Sequence, residues 1–466
     1  MGFRTGMHRR TLLKSAAAMM PAAMVNSSPA STSSSPSAKK VLFVFLTGGI
    51  SQHDTFDMKP DAGDDIRGTF QPVSTKTPGT QICEYLPKLG ARSEAYTLVR
   101  SMKTDSSGHE PACHMMLTGR RDLPIGFSLK KVPSPNEWPT IASVVTYAMR
   151  NRRDLRMPAG IILPQPSVNE VGKVRPGQYA GQMGKKYEAW HINIAGNCAL
   201  GNGPCPDCFR FEGTPFDCTA PAIFSTPSLN LPPGGADRFD KRVGLLDFIQ
   251  NQQRGLNSTA AKLDAQRQQA YAVLSDPTIR SAFNVEQSDP KLLQRYGKNK
   301  FGLSCLMAKR LLEGGATYVQ VNLGKNSSWD THRRNFANLK ENLLPPFDLC
   351  ISALLDDMQS SGLLDDTLVI VGGEFGRTPK INKDAGRDHW GPASTMMFAG
   401  AGIQGGRVIG ATDRNGVEVT EDMVMPENFS ATIYDALGIP KDTRWVGTDG
   451  RPHDIYHGSR IEQLYS

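Results

Sequence analysis

Two apolar runs that end in paired glycines most constrain what this chain can fold into. The run Val41–Leu46 is followed by Gly48–Gly49, and the run Thr367–Val371 is followed by Gly372–Gly373. Neither run alternates apolar and polar residues, a pattern typical of a parallel strand that is buried on both faces of a sheet. Ligands of open α/β sheets bind beyond the carboxyl ends of such strands, so the segments after both runs are predicted to reach a site.

The same order of strand, polar segment and helix recurs along the chain. Apolar runs predict further strands over Tyr96–Met102 and Ala316–Leu323, and helical periodicity predicts helices over Phe301–Leu312 and Asn335–Ser361. The predicted fold is therefore α/β, with a mostly parallel central sheet that carries helices on both faces. A chain of 466 residues suffices for one large domain with insertions or for two domains.

Charged and ligand-type side chains follow several of these strands. Any one of them has an ordinary interpretation: Asp54 could cap a turn, and Glu374 could pair with Arg377 on the surface. Several at one sheet edge favour a single site instead, because carboxylates and imidazoles are common metal ligands. The side chains concerned are Asp54, His109, Asp330, His332, Glu374, Arg377, Asp388 and His389.

A short helix is predicted directly after His109. Pro111 near its start and Gly119 at its end follow the usual asymmetry of helix termini. The free N–H groups at the amino terminus of this helix would favour an anion. The alternative is a helix capped by Ser106 or Ser107, in which His109 is incidental.

The first 38 residues resemble a twin-arginine export signal. Arg9–Arg10 precede two leucines, Lys14 and the mildly apolar segment Ser15–Val25, and the Ser/Pro-rich run Ser27–Ser37 is typical of a linker. A basic amphipathic helix is the alternative. We therefore predict a signal peptide with its linker over residues 1–38, a single domain over 39–466, and a periplasmic or extracellular protein.

Charge and hydropathy exclude two classes of partner. Removing residues 1–38 lowers the net charge from +8 to +4, leaving 49 basic and 45 acidic residues. Because no basic stripe with interleaved aromatic residues remains, the sequence gives no reason to expect nucleic-acid binding. After cleavage of the signal, no apolar stretch is long enough to span a membrane.

Four of the eight cysteines cluster in a loop-rich insert at about residues 196–220. In an exported protein such a cluster favours two disulfides, and a zinc knot with four cysteine ligands is the alternative. The clustered cysteines are Cys198, Cys205, Cys208 and Cys218.

Five motifs are similar to those of the DUF1501 family, which comprises exported bacterial proteins of uncharacterised activity. In chain order they are Thr47–Asp57, Leu98–Met102, Trp329–His332, Gly373–Pro379 and Gly386–Trp390. This family is placed by similarity in the alkaline phosphatase/sulfatase superfamily. The resemblance therefore implies an alkaline phosphatase-like core and metal-assisted hydrolysis of phosphate or sulfate esters.

The segment His109–Arg120 also resembles the sulfatase signature, with its proline and its Leu-Thr-Gly-Arg end in register. His109 stands where that signature has the cysteine or serine that becomes formylglycine, and Cys113 replaces its arginine. The resemblance thus implies a non-standard nucleophile. The resemblance leaves three roles open for His109: a covalent phosphoryl acceptor, a metal ligand in a site without a protein nucleophile, or neither.

The resemblance to the superfamily implies a metal site that is only partly retained. Phe375 replaces a histidine of a second metal site, so one divalent metal is expected. The implied metal ligands are Asp330, His332, His389 and Asp54, and the implied catalytic residues are His109, Glu374 and Arg377. Imidazoles with a carboxylate suit zinc, manganese or iron better than calcium, which prefers oxygen ligands. The guanidinium of Arg377 is suited to hold phosphate or sulfate.

The function expected from the sequence is an exported, metal-dependent hydrolase of phosphate or sulfate esters. The main alternative is a catalytically degenerate relative that binds sulfated or phosphorylated glycans, or a cell-surface partner, without turnover. A structural protein of the cell envelope is a third possibility. The sequence leaves the substrate, the metal and the oligomeric state open.

Replacing both Arg9 and Arg10 with lysine is expected to leave unprocessed precursor in the cytoplasm, because twin-arginine export depends on the arginine pair. Immunoblots of cell fractions would measure this, with Lys39→Arg/Lys40→Arg just beyond the signal as the control. Normal processing of the Arg9/Arg10 variant would contradict the export prediction.

Overall fold

An eight-stranded sheet organises the part of the chain that the computed structural model describes, which is residues 38–152, 154–169, 171–194, 241, 276–324 and 328–466. The described residues contain sixteen strands, of which eight form this sheet and the others form two-stranded sheets. In chain order the strands are β1 (Lys40–Leu46), β2 (Pro72–Ser74), β3 (Gln81–Cys83), β4 (Tyr96–Met102), β5 (Gly160–Leu163), β6 (Trp190–His191), β7 (Tyr318–Leu323), β8 (Thr367–Gly372), β9 (Gly376–Arg377), β10 (His389–Trp390), β11 (Ser394–Ala399), β12 (Arg407–Ile409), β13 (Ala411–Thr412), β14 (Val419–Glu421), β15 (Arg444–Val446) and β16 (Pro452–Asp454). The order across the large sheet is β12-β4-β11-β8-β1-β7-β5-β6. Its strands pair in parallel except β11, which is antiparallel to β4 and to β8.

Helices cover both faces of this sheet. They are α1 (Asp64–Arg67), α2 (Pro87–Gly90), α3 (His109–Thr118), α4 (Ile141–Ala148), α5 (Pro277–Phe283), α6 (Pro290–Tyr296), α7 (Lys300–Glu313), α8 (Asn335–Asn338), α9 (Leu344–Ser360) and α10 (Pro426–Ala436). Side chains alternate along β1: Leu42 and Val44 pack with α7 and α9, whereas Val41 and Phe43 pack with α3, α4 and α10. The prediction of a mostly parallel sheet with helices on both faces is confirmed.

One detail differs from the sequence-based expectation. The predicted long helix Asn335–Ser361 is interrupted by a π-helical turn over Leu339–Leu343. The interruption has a cause in the sequence, because Pro345 and Pro346 at the start of α9 cannot donate the backbone hydrogen bonds of a continuous α-helix.

Several predictions fall partly or wholly on residues outside the described ranges. These include the export signal and the cysteine insert at about 196–220. The cysteines that are described, Cys83, Cys113, Cys305 and Cys350, are buried free thiols. In the described part of the chain, every helix is too short or too polar to cross a membrane.

Glu137 is a buried carboxyl group with few partners. Its side chain is fully buried, and Oε2 accepts a hydrogen bond from the Gly177 N–H at 3.4 Å. Burial raises the pKa of Glu137 to about 7, against the backbone hydrogen bonds from Gly177 and Ser134. Because this pKa is higher in the folded than in the unfolded chain, the folded protein binds the proton more tightly and loses stability as pH rises towards 7.

Glu137→Gln is therefore expected to raise the free energy of unfolding at pH 8 by about 1–3 kcal/mol and to have little effect near pH 4. Urea denaturation at both pH values would measure the difference. Glu341→Gln at an exposed position is the matched control and should show no such pH dependence. An equal effect of Glu137→Gln at both pH values would show that the ionised carboxylate is not the cause.

Candidate metal centre

Segments that follow β4, β7, β8 and β1 meet at the carboxyl edge of the sheet. The His109 ring at the start of α3 lies between two carboxylates: Nδ1 is 2.7 Å from Glu374 Oε1, and Nε2 is 2.9 Å from Asp330 Oδ2. The Gly48 N–H donates to both carboxylate oxygens of Glu374, at 2.9 and 3.0 Å. The chain thus brings four segments that are distant in sequence to one point.

Two further histidines complete the cluster. The Nε2 atoms of His332 and His389 lie 3.1 and 3.2 Å from Asp330 Oδ1 and 2.8 Å from each other. His109, Asp330 and His389 each offer a ligand atom within 4.8 Å of those of the other two. We call the set His109, Asp330, His332 and His389 the His/Asp cluster.

Glycines allow these segments to approach closely. The backbone of Gly49 has φ +81°, and a Cβ there would lie 2.7 Å from the Phe375 carbonyl oxygen. A Cβ at Gly386 would lie 1.8 Å from the carbonyl oxygen of His332. Any larger residue at either position would have to displace the backbone that carries the cluster.

A two-stranded ribbon places His389. Strand β9 pairs antiparallel with β10, so that His389 lies opposite Arg377. The ring of Phe375, just before β9, has its centroid 4.8 Å from that of His389 and 5.0 Å from that of His109. Phe375 therefore packs against two of the histidines.

Carboxylates hold the outer nitrogens of two cluster histidines. Glu374 contacts Nδ1 of His109 at 2.7 Å, and Asp388 contacts Nδ1 of His332 at 2.6 Å. A carboxylate on Nδ1 fixes the orientation of the ring and directs Nε2 to the opposite side. In both rings Nε2 faces Asp330.

The electrostatics of the cluster favour positive charge at its centre. Burial opposes ionisation of Asp330, but Arg377 and the three histidines hold the pKa of this carboxyl well below its usual range. Burial also opposes a charged His109, yet its hydrogen bonds to Asp330 and Glu374 raise the pKa of this imidazole. Burial, together with the charges of Arg377 and His109, lowers the pKa of His389, so this imidazole is held towards its neutral form.

Among the described residues, the solvent-exposed side of the cluster is formed by His332, His389 and Asp388. His109 and Asp330 are 8% and 5% exposed. The side chains of His332 and His389 are 22% and 23% exposed, and that of Asp388 is 54% exposed. A small molecule could therefore approach the cluster from the side of these three residues.

Arg377 occupies a different position from the one predicted. It is fully buried, and its Nη1 lies 2.5 Å from Asp330 Oδ1. Its other hydrogen bonds are to backbone carbonyls, including those of Gly48, Gly49 and Trp329. The guanidinium thus contacts Asp330 and the surrounding loops, whereas the sequence analysis expects it to hold phosphate or sulfate.

Asp54 is also placed differently from the predicted metal ligand. Its carboxylate forms a bidentate pair with Arg387, at 2.7 and 2.9 Å, in which both side chains are fully buried. Ser51 and Asn335 donate to the same carboxylate, at 2.6 and 2.8 Å. These contacts of Asp54 stabilise the loop after β1 and are made with residues outside the His/Asp cluster.

Two residues of the site had no assigned role from the sequence. Arg387 lies inside the motif Gly386–Trp390, but nothing in that motif indicates a partner 333 positions away at Asp54. Asn382 donates to Asp388 Oδ1 at 3.1 Å and to the His332 carbonyl at 2.9 Å. Such contacts between loops depend on the folded geometry.

Arg387→Met is expected to lower the free energy of unfolding by about 3–5 kcal/mol, because it leaves the buried Asp54 carboxylate without its partner. Urea denaturation would measure the loss. Arg444→Met, which breaks an exposed pair with Asp454, is the control and should cost no more than about 1 kcal/mol. If Arg387→Met left the free energy of unfolding unchanged but abolished metal binding, Asp54 would be assigned to the metal site instead.

The chain shows a low-identity likeness to several solved structures and matches one family model. The PsFucS1 sulfatase from Pseudoalteromonas sp. is 9% identical with a TM-score of 0.39, over 92% of this chain and 72% of that chain. The phosphonate monoester hydrolase SpPMH from Silicibacter pomeroyi is 14% identical with a TM-score of 0.29, over 92% and 76%. A mutant of TAB5 alkaline phosphatase with Mg bound is 10% identical with a TM-score of 0.35, over 87% and 100%. No curated protein matches the chain. A family model described as a protein of unknown function, DUF1501, matches residues 38–465, and the chain therefore belongs to the DUF1501 family.

Proposed function

We propose that this chain hydrolyses phosphate or sulfate esters with one divalent metal held by the His/Asp cluster. The observation that carries the proposal is the convergence of His109, Asp330 and His389, whose ligand atoms lie within 4.8 Å of one another. The three residues come from separate segments at the carboxyl edge of the sheet, where α/β proteins bind ligands.

The spacing of the cluster atoms suits a metal of zinc size. Ligands at about 2.0–2.1 Å from a tetrahedral zinc ion lie about 3.3 Å apart. The Nε2 atoms of His332 and His389 are 2.8 Å apart, and that of His389 is 3.2 Å from Asp330 Oδ1. Imidazoles with one carboxylate favour zinc, manganese or iron over calcium. His332 would supply the fourth ligand atom.

A divalent cation at this position would supply Lewis acidity towards an ester oxygen. The residues around it orient the cluster. Glu374 and Asp388 fix the rings of His109 and His332, and Arg377 fixes the Asp330 carboxylate. The amino terminus of α3 begins at His109, so its free N–H groups would lie close to the cluster and favour an anionic substrate.

His109 serves in this proposal as a metal ligand and not as a covalent acceptor. Both of its ring nitrogens are engaged, Nδ1 by Glu374 and Nε2 by Asp330. Attack on the ester is therefore assigned to water.

The substrate class follows from the proposed chemistry and from the predicted export. An exported protein with an anion-binding metal centre would meet phosphate or sulfate esters outside the cytoplasm, including those of sulfated or phosphorylated glycans. The Arg9–Arg10 pair is the basis for placing the protein there.

A second candidate function, binding of an anionic glycan without turnover, is favoured by one observation. Arg377 is fully buried and engaged with Asp330, so the guanidinium expected to hold the ester anion does not serve that purpose. A protein of this kind would still bind the metal and the anion, but would not hydrolyse the ester.

His389→Ala is expected to lose the bound metal and, with it, ester hydrolysis, because it removes a ligand. The purified full chain would be analysed for metal content and assayed with aryl phosphate and aryl sulfate esters. Asp388→Asn, at an exposed position, is expected to weaken metal affinity by about 10–100-fold through the loss of the carboxylate on His332. The surface variant His457→Ala is the control and should match the unmodified protein.

The outcomes separate the two functions. Metal bound with ester hydrolysis that His389→Ala abolishes supports the hydrolase. Metal and anion bound without turnover would support the binding protein. A purified chain that takes up no zinc, manganese or iron would reject both.

A further inference from the structure

Two thiols face each other in the core beneath the sheet. Cys305 on α7 and Cys350 on α9 have their sulfur atoms 3.9 Å apart, and both side chains are fully buried. The two helices pack closely on the same face of the sheet. The other described thiols, Cys83 and Cys113, lie on β3 and α3.

This thiol pair lies next to aromatic residues that pack against the loop after β7, which carries Asp330. Cys305 is one turn beyond Phe301 on α7, and Cys350 is one turn beyond Phe347 on α9. The rings of Phe301 and Phe347 contact Trp329, at centroid distances of 6.0 and 5.4 Å. Trp329 directly precedes the cluster residue Asp330, so α7 and α9 together hold the base of this loop.

We propose that Cys305 and Cys350 are a modification site at which an intramolecular disulfide joins α7 to α9. The sulfur atoms must move from 3.9 Å to the bonding distance of about 2.05 Å, which requires side-chain rotation and a small helix shift. The bond would close a chain loop between residues 45 positions apart. This inference is independent of the proposed hydrolase function.

The reaction is a thiol–disulfide exchange with an external disulfide as oxidant. One cysteine, as the thiolate, attacks the oxidant, forms a mixed disulfide and releases the first thiol of the oxidant. The second cysteine then attacks the mixed disulfide, forms the Cys305–Cys350 bond and releases the second thiol. The two protons of the protein thiols are transferred to the released thiols, and the oxidant gains two electrons. Oxidising compartments supply such disulfides, in keeping with the predicted export.

Peptide mass spectrometry of the full chain tests the proposal. The protein would be unfolded and refolded in an oxidising glutathione buffer, so that burial does not limit access, and free thiols would be blocked by alkylation before tryptic digestion. Trypsin releases Cys305 in Phe301–Lys309 and Cys350 in Glu341–Arg377, each peptide with one cysteine. The expected product is the two peptides joined, with the loss of two hydrogens.

The variant Cys305→Ser is the matched control and should yield Glu341–Arg377 with its cysteine unlinked to Phe301–Lys309. Cys83 and Cys113 in the same digest should remain alkylated as free thiols. In the unmodified chain, alkylation of both Cys305 and Cys350, or linkage of either to another cysteine in place of its partner, would overturn the proposal. Incubation of the folded protein with oxidised glutathione would add the rate at which the native core admits the reaction.

Discussion

The ion pair between Asp330 and Arg377 is the interaction on which the rest of the candidate site depends. A carboxylate that is 5% exposed is costly to leave unpaired, and a guanidinium at 2.5 Å offsets that cost. The same guanidinium donates to the carbonyls of Gly48, Gly49 and Trp329. One buried cation thereby fixes both the carboxylate around which the histidines gather and the loops that follow β1 and β7.

A second buried pair stabilises the same part of the molecule. Asp54 after β1 and Arg387 before β10 are fully buried, and Ser51 and Asn335 complete the hydrogen bonds of the carboxylate. The long polar segment between β8 and β11 therefore contributes two arginines to the interior and leaves His389 at the surface of the cluster. Its two arginines join it to the loops that follow β1 and β7.

The sequence was sufficient for the sheet and for most of the cluster. Apolar runs predicted β1, β4 and β8, and the polar residues after strands led to the expectation that His109, Asp330 and His389 would lie, with others, at one edge of the sheet. It did not show which of these carboxylates would lie among the histidines, because Asp54 and Asp330 are the same residue type in the same kind of segment. Both pair with a buried arginine, and of the two it is Asp330 that also contacts several imidazoles, an arrangement that the fold decides. An apolar run also does not indicate whether its strand pairs in parallel or antiparallel, so the antiparallel pairing of β11 could not be predicted.

The antiparallel direction of β11 determines how the segment of residues 373–393, which carries His389, is attached to the sheet. A parallel strand after β8 would need a crossover connection of about a dozen residues or more, which returns the chain to the opposite edge of the sheet. Strand β11 instead starts at the edge where β8 ends and pairs antiparallel with it, with Met397 opposite Val371. Residues 373–393 therefore form a loop that leaves the sheet at β8 and returns to it at the neighbouring strand β11. Lengthening this loop costs folding little conformational entropy. Within the loop, His389 is held by the pairing of β10 with β9, where it lies opposite Arg377. Changes in the length of this loop can thus alter which molecules reach the histidines, while β8 and β11 at the ends of the loop keep their positions in the sheet.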